Sequence, residues 1–371
     1  MYGVHPKLIS LLEDLHSDTS ASVRMDGLLG PQFTVSSGVR QGCVIAPTLF
    51  NIFIDIVMRK ALAIMPENCG IKFKNRSKRQ PYVDSFEYIV MLMYADNVVL
   101  MSHDPMELSM MLDAVDKVAV EFGMQINASK TEIQIQQWSG DIPHMEISSG
   151  KVQVVEEFKY LGSWIQNEGC MDKEINTRKG RTYGVFQSYE KVWSNKKLKI
   201  ANKMAIYNSI VLPHLLYGCE TWNCSLDHFK SLEVVHSNCL RRIMGVNIND
   251  RHTLSHIYSV CQSQPIVLTI VKRTFQWLGH VCRMSDQRTP QAAYHVDIPG
   301  RRCRGRPKGV FRNTHSSMLK LIGVDNPGKW LSDMIDCAKD REKWRTKVAN
   351  FEIQEVPIQL PTRRSTRIAN R

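Results

Sequence analysis

The chain has 371 residues, 43% of them apolar and 23% charged. That is long enough for two or three domains with a sizeable core, and ordinary for a globular protein. A collagen-like, mucin-like or wholly disordered chain is excluded. The net charge is +12, and it is concentrated. Residues 1–270 carry 27 basic and 27 acidic side chains, whereas residues 271–371 carry 21 and 9. Nine basic and three acidic side chains also fall within residues 172–203. Such a balance points to a polyanionic partner, nucleic acid first, against the alternative of a solvated surface that serves solubility.

No apolar run reaches the roughly 18 residues that span a bilayer. The ten cysteines include no CxxC pair, which favours reduced thiols in a cytoplasmic or nuclear compartment over a disulfide framework. No signal peptide is read at the N-terminus.

In chain order, Pro6 and helical apolar spacing predict a helix over 6–16. Alternation around Asp26-Gly27 predicts a hairpin over 20–36. A polar loop follows from Gly38 to Pro47, then a long helix over 48–64 that Pro66 ends. Residues 71–79 read as a basic loop. Two apolar strands, 88–94 and 98–101, flank a tight turn, and a helix over 105–122 stops at Gly123. Residues 124–137 read as strand, turn, strand, and 152–165 as a further β-ribbon. From 172 to 243 the pattern is helical, with breaks at Pro213 and Gly218. A looser region starts near Gln262, a basic Pro/Gly linker covers 298–309, and a last helix covers 326–348. The tail, 352–371, reads as disordered.

The turn between the two apolar strands carries most of the chemistry: Met91-Leu92-Met93-Tyr94-Ala95-Asp96-Asn97-Val98-Val99-Leu100. An Asp at a hairpin tip commonly just closes the turn. Here both strands are apolar on both faces, which places the hairpin inside a sheet with its tip at an internal cleft. A carboxylate held there can ligate Mg²⁺.

Tyr94-Ala95-Asp96-Asn97 resembles the YADD box of reverse transcriptases, and the order of its surroundings resembles that of non-LTR (LINE-type) retrotransposons. Gly38 to Asn51, GVRQGCVIAPTLFN, resembles the block that precedes the box. Gly123 to Glu132, GMQINASKTE, resembles the one that follows. Phe158-Lys159-Tyr160-Leu161-Gly162 resembles the primer-grip box. Leu216 to Trp222, His236 to Gly245, Trp277 to Met284 and Gly305 to Lys308 resemble the C-terminal pattern of the group. The resemblance covers about residues 3–345.

It implies an α+β fold: a truncated right-hand polymerase palm of antiparallel sheet and helices, then a helical thumb and a basic C-terminal region. The implied domains are a palm with a remnant of fingers (1–165), a thumb or connection (166–261), a basic region (262–350) and a disordered basic tail (351–371). It implies RNA-directed DNA polymerase chemistry on two Mg²⁺ ions, with an RNA template and a DNA primer or target as partners. Asp96 would be a metal ligand, with Asn97 beside it. Arg40, Gln41, Gly42 and Tyr94 would meet the incoming nucleotide and template, and Lys130 the triphosphate. Tyr160, Leu161 and Gly162 would press on the primer. Arg178, Lys179 and Arg181, with Arg304, Arg306 and Lys308, would hold nucleic acid.

Two departures from the family point to impaired catalysis. Asn97, a neutral ligand, replaces the second Asp of the turn. The F-x-D box that supplies the first catalytic Asp is expected ahead of the helix at Pro6, and the sequence starts after it. The expectation is negligible polymerase activity, with a nucleic-acid-binding remnant as the alternative. A missing strand beside the hairpin would also leave an apolar edge that invites aggregation.

Cys219, Cys224, His228, His236 and Cys239 crowd together, but their spacing matches no zinc module, so buried thiols are the favoured reading. Arg304-Gly305-Arg306-Pro307-Lys308 has the form of an AT-hook core. A linker that touches phosphates is favoured over it.

Overall fold

In the computed structural model, the described residues are 3–35, 38–40, 42–75, 85–136, 138, 140–167, 169–285, 288–295 and 311–353. Gln41, Arg76, Lys78, Arg79, Arg304, Arg306 and Lys308 lie outside them, as do the whole 298–309 linker and residues 354–371. The fold mixes helices with small sheets of two strands, most of them antiparallel.

The elements run α1 Pro6–His16, β1 Ser20–Met25, β2 Leu28–Thr34, α2 Ala46–Ile64, β3 Ile71–Asn75, β4 Ser85–Ile89, β5 Met91–Tyr94, β6 Asn97–Leu100 and α3 Pro105–Glu121. Next come β7 Glu132–Gln134, β8 Glu146–Ile147, β9 Gly150–Lys151, β10 Gln153–Val155, β11 Glu157–Tyr160 and β12 Ser163–Gln166. The rest is helical: α4 Asp172–Ser188, α5 Glu190–Trp193, α6 Ile200–Ile206, α7 Leu212–Leu215, α8 Leu226–Met244, α9 Leu254–Cys261 and α10 Ile266–Cys282. After these lie α11 Thr289–His295, α12 Phe311–Leu321, α13 Pro327–Lys339 and α14 Arg341–Ala349.

Local chemistry sets many of these ends. Pro6 opens α1, and the His5 ring accepts from the Lys7 N–H. Asp26 and Gly27, at φ +50° and +84°, make the two-residue turn that joins β1 to β2. Asp104 caps α3 by accepting from the Met106 N–H at 2.9 Å. Ser225 and His228 cap α8 reciprocally.

The chain divides into two compact units. The first comprises residues 1–72, 87–131 and 141–152. Its core is the seam between α2 and α3. Val57, Met58, Ala61 and Met65 meet Met111, Ala114, Val115 and Val118, with Val90, Met91, Val98 and Leu100 of the neighbouring strands packed on them. These positions follow the helical repeat, so one stripe of each helix is buried. Asp116 is buried on α3 and accepts from the Ser148 N–H (2.7 Å) and hydroxyl (2.9 Å), which ties the β8–β9 hairpin to the helix.

The second unit comprises 73–86, 132–140 and 153–371. β10 pairs in parallel with β7, and β11 with β12 as an antiparallel hairpin. The Gln134 amide donates to the carbonyls of Glu156 (3.1 Å) and Ile165 (2.9 Å), joining the two pairs. Helices α8, α11, α13 and α14 pack against α10, which buries eleven of its seventeen residues. One core runs from Ile175 through α8 and α10 to Trp344 and Phe351. A second gathers Phe186, Trp193, Tyr207, Leu240 and Ile257.

Several expectations change. Residues 71–75 form a strand rather than a basic loop. Among the described residues of 124–137 only 132–134 is strand, because the Asn127 side chain and carbonyl gather the 129–131 backbone into a turn. Pro213 does not break the helix. A π turn, Tyr207–Val211, precedes it and places it in the first turn of α7, where a missing N–H costs little. The region after Gln262 is not loose but holds the most buried helix of the unit, and the core crosses that boundary. The last helix is two, divided at Asp340, whose carboxylate accepts from the N–H groups of Glu342 and Lys343 and starts α14.

Candidate active site

β5 and β6 pair Met91 with Leu100, Leu92 with Val99, Met93 with Val98 and Tyr94 with Asn97. Ala95, at φ +52°, turns the chain and puts Asp96 at the tip. One face of the hairpin, through Met91, Val98 and Leu100, packs on the α2–α3 core. Leu92 and Tyr94, on the other face, are exposed, Tyr94 by 64%. The tip, Asp96 and Asn97, is exposed as well. The internal cleft expected around it is therefore absent among the described residues. Apolar strands on both faces implied cover on both faces, but among the described residues β5 and β6 pair only with each other.

At the tip the Asn97 amide donates to Asp96 Oδ1 at 3.2 Å. The neutral group in the second position is turned onto the carboxylate itself. Arg40 is exposed, and its guanidinium donates to Thr19 Oγ1 at 3.0 Å. Gly42 sits at φ +86° with open space about its Cα. Lys130 is exposed, its N–H held by the Asn127 carbonyl (3.1 Å) and side chain (3.2 Å). Among the described residues no hydrogen bond or ion pair joins Asp96 to Arg40, Gly42 or Lys130. Gln41 lies outside them.

The β11–β12 hairpin of the second unit carries Tyr160, Leu161 and Gly162. Tyr160 is half-buried, and burial raises its phenol pKa. Its ring stacks on Phe158 at 6.3 Å. Lys173 pairs with Glu157 and lies 4.2 Å over the Trp164 ring.

Arg178 does not face outward as a phosphate contact. Its side chain is 3% exposed and paired with Glu174 at 2.6 Å. Its neighbours on α4 differ, since Lys179 is half-buried and Arg181 exposed. The i,i+4 spacing of Glu174 and Arg178 was the signal in the sequence for this pair. Its burial comes from the hairpin twelve to sixteen residues earlier.

Cys219, Cys224 and Cys239 lie in the cores, where burial pushes each thiol up to about 12. His236 is buried between the Tyr207 hydroxyl (2.8 Å) and the Gln264 carbonyl (3.3 Å). His228 reaches Asp172 at 2.9 Å and holds that carboxyl below its usual range.

Residues 5–165 match the family profile described as reverse transcriptase (RNA-dependent DNA polymerase). That segment is a reverse transcriptase domain. The chain is 26% identical over 264 residues to a transposon-derived protein of Caenorhabditis elegans, covering 68% of this chain and 92% of that protein. It is 24% identical over 256 residues to the RNA-directed DNA polymerase from mobile element jockey of Drosophila funebris, covering 65% of this chain and 25% of that protein. It is 23% identical over 248 residues to a protein named as RNA-directed DNA polymerase from transposon X-element of Drosophila melanogaster, covering 63% and 25%. The chain thus spans about a quarter of the length of the element polymerases it matches. These elements are non-LTR retrotransposons, in keeping with the boxes read from the sequence.

Reverse transcriptases generally work with Mg²⁺. The turn of this domain offers one carboxylate, Asp96, with an amide beside it. Among the described residues no group of three His, Cys, Asp or Glu side chains could hold a metal ion. A pair of divalent ions needs several charged oxygen ligands, and the described residues by themselves do not fit that pair. Among the described residues no helix is long and apolar enough to cross a membrane.

Proposed function

We propose that the chain serves a non-LTR retroelement as the reverse transcriptase part that holds primer and template, and that these 371 residues by themselves polymerise weakly. The single observation behind this reading is the 96–97 turn, where one carboxylate stands alone and the adjacent amide is hydrogen-bonded to it. In this reading residues 1–165 are palm with part of the fingers, 166–261 thumb, and 262–350 a basic region followed by the tail. Asp96 is the remaining acid of the metal turn. Arg40, Gln41, Gly42 and Tyr94 meet nucleotide and template, and Lys130 meets phosphate. Tyr160, Leu161 and Gly162 face the primer strand. Lys179, Arg181, Arg304, Arg306 and Lys308 supply backbone charge.

Lewis-acid stabilisation is worth several kcal/mol, and a deficit of about 4 kcal/mol is already about a thousandfold in rate. Primer extension by the purified chain on an RNA template tests this. The reading expects incorporation at least about a thousandfold below that of a full-length element polymerase. Template-directed incorporation at comparable rates overturns it.

The second reading, nucleic-acid binding without chemistry, is favoured by the basic excess of the last hundred residues. It expects binding that is salt-sensitive and equal in Mg²⁺ and in EDTA.

A further inference from the structure

The tip of the β11–β12 hairpin is held by side chains from outside it. Leu161 and Gly162, at φ +46° and +88°, form its two-residue turn. The Gly162 carbonyl accepts from Arg178 Nη2 at 2.5 Å. The Leu161 carbonyl accepts from the Tyr217 hydroxyl at 2.7 Å. The Trp164 N–H donates to Glu174 Oε2 at 2.8 Å. Arg178 and Glu174 are tied to each other through Nε and Oε1, and the guanidinium lies 4.6 Å over the Tyr217 ring. Each group of the ion pair thus uses one edge for its partner and another for the hairpin backbone. A side chain at position 162 would meet the Tyr217 hydroxyl at 3.3 Å, and one at position 218 would meet Ser163 Oγ at 3.2 Å. The approach is close from both sides.

Hairpin tips ordinarily leave such backbone groups to water and move freely. A buried ion pair is also a poor way to add stability, since packed apolar groups of the same volume often do as well. What this pair supplies is geometry. It fixes the Gly162 carbonyl and the Trp164 N–H, and Tyr217 adds the Leu161 carbonyl, while Leu161 and Lys159 stay exposed.

We infer that Glu174, Arg178 and Tyr217 are positioning residues that set the 160–163 turn in one presentation toward a nucleic-acid strand, with Arg178 making no phosphate contact. This rests on the nucleic-acid-holding function proposed above. The planar guanidinium fork is essential to it, because a lysine at 178 keeps the charge but cannot serve both Glu174 and Gly162 in this geometry.

The test uses the full chain and the variants Arg178→Gln, Arg178→Lys and Tyr217→Phe. Two quantities are measured: affinity for an RNA–DNA hybrid across a salt series, and amide hydrogen exchange. Expected is about a tenfold loss of affinity in both Arg178 variants, with the slope of log K against log salt unchanged from the parent. Exchange of residues 160–164 should rise at least about tenfold, with α8 and α10 unaltered. Tyr217→Phe, which keeps the ring, should raise exchange at 161–163 and weaken binding by a smaller factor.

A slope reduced by about 0.9 in Arg178→Gln and restored in Arg178→Lys makes Arg178 a phosphate contact and overturns the inference. Raised exchange with affinity unchanged makes the clamp merely structural and also overturns it. Unchanged exchange in all variants shows that no clamp exists. A parent chain that binds no hybrid at all sinks instead the function on which the inference rests, and the exchange data tell that case apart.

Discussion

His236 lies on α8 with the Tyr207 hydroxyl at Nδ1 and the Gln264 carbonyl at Nε2. That arrangement suits the neutral ring with its proton on Nε2, and burial holds its pKa down at about 4. An unfolded histidine titrates near 6.5. As pH falls below 6.5 the unfolded chain takes up a proton that the folded chain refuses, so stability is lost down to about pH 4. Between pH 7 and pH 5 the loss is about 2 kcal/mol. His315, also lowered to about 4 by burial, acts in the same direction. Glu233 acts in the opposite direction, since burial raises its carboxyl pKa and protonation favours the folded form. Urea midpoints of the parent and His236→Gln at pH 7 and pH 5 check this. The parent should lose more stability than the variant, and equal losses would refute the assignment. The buried thiols give a second expectation. Cys219, Cys224 and Cys239 should resist alkylation at pH 8 in the folded chain, as read by peptide mass spectrometry, and react after denaturation.

Within single elements the packing of α10 is the most demanding. The Trp344 indole of α14 lies against Gly279, and its N–H donates to the Phe275 carbonyl at 3.0 Å. A methyl group at 279 would overlap the indole. Gly279→Ala should therefore cost about 1–3 kcal/mol, the range for overpacking. Adding Trp344→Leu should relieve part of that penalty in a thermal-melting cycle.

What was legible in the sequence divides along this line. α1, α2, α3 and the β1–β2 hairpin were readable because Pro6, Pro66, Gly123 and Asp26-Gly27 mark their ends or turn locally. The need for glycine at 279 arises from Trp344, tens of residues away. Although the i,i+4 spacing showed the Glu174–Arg178 pair, its inward turn onto the 162–164 backbone and Tyr217 was not carried by that local pattern. The Asp96 turn was readable as a turn and as a family box. Its exposure was not, because apolar strands show that a face can be buried but not what is available to cover it.

At the scale of the molecule, the N-terminal part of the first unit is notably apolar at its surface. α1 buries no residue, and Leu8, Leu11 and Leu15 are exposed. Met25, Leu28 and Leu29, at the tip of the β1–β2 hairpin, are each more than 70% exposed. Large exposed apolar patches associate. Light scattering should show concentration-dependent association of the chain, reduced by Leu28→Ser with Leu29→Ser. A monomer at all concentrations would count against this.

The charge is arranged oppositely along the chain, neutral through residue 270 and basic beyond it. In the proposed function that basic end holds a polyanion, and the lone carboxylate of the 96–97 turn sets how poorly the chain holds a metal pair. Titration with Mn²⁺, followed by its electron-spin signal, puts that to the most direct trial, using the parent chain and Asp96→Asn. The account predicts no site in the parent tighter than about 1 mM, as one carboxylate and an amide allow. Two micromolar sites that vanish in Asp96→Asn would contradict it.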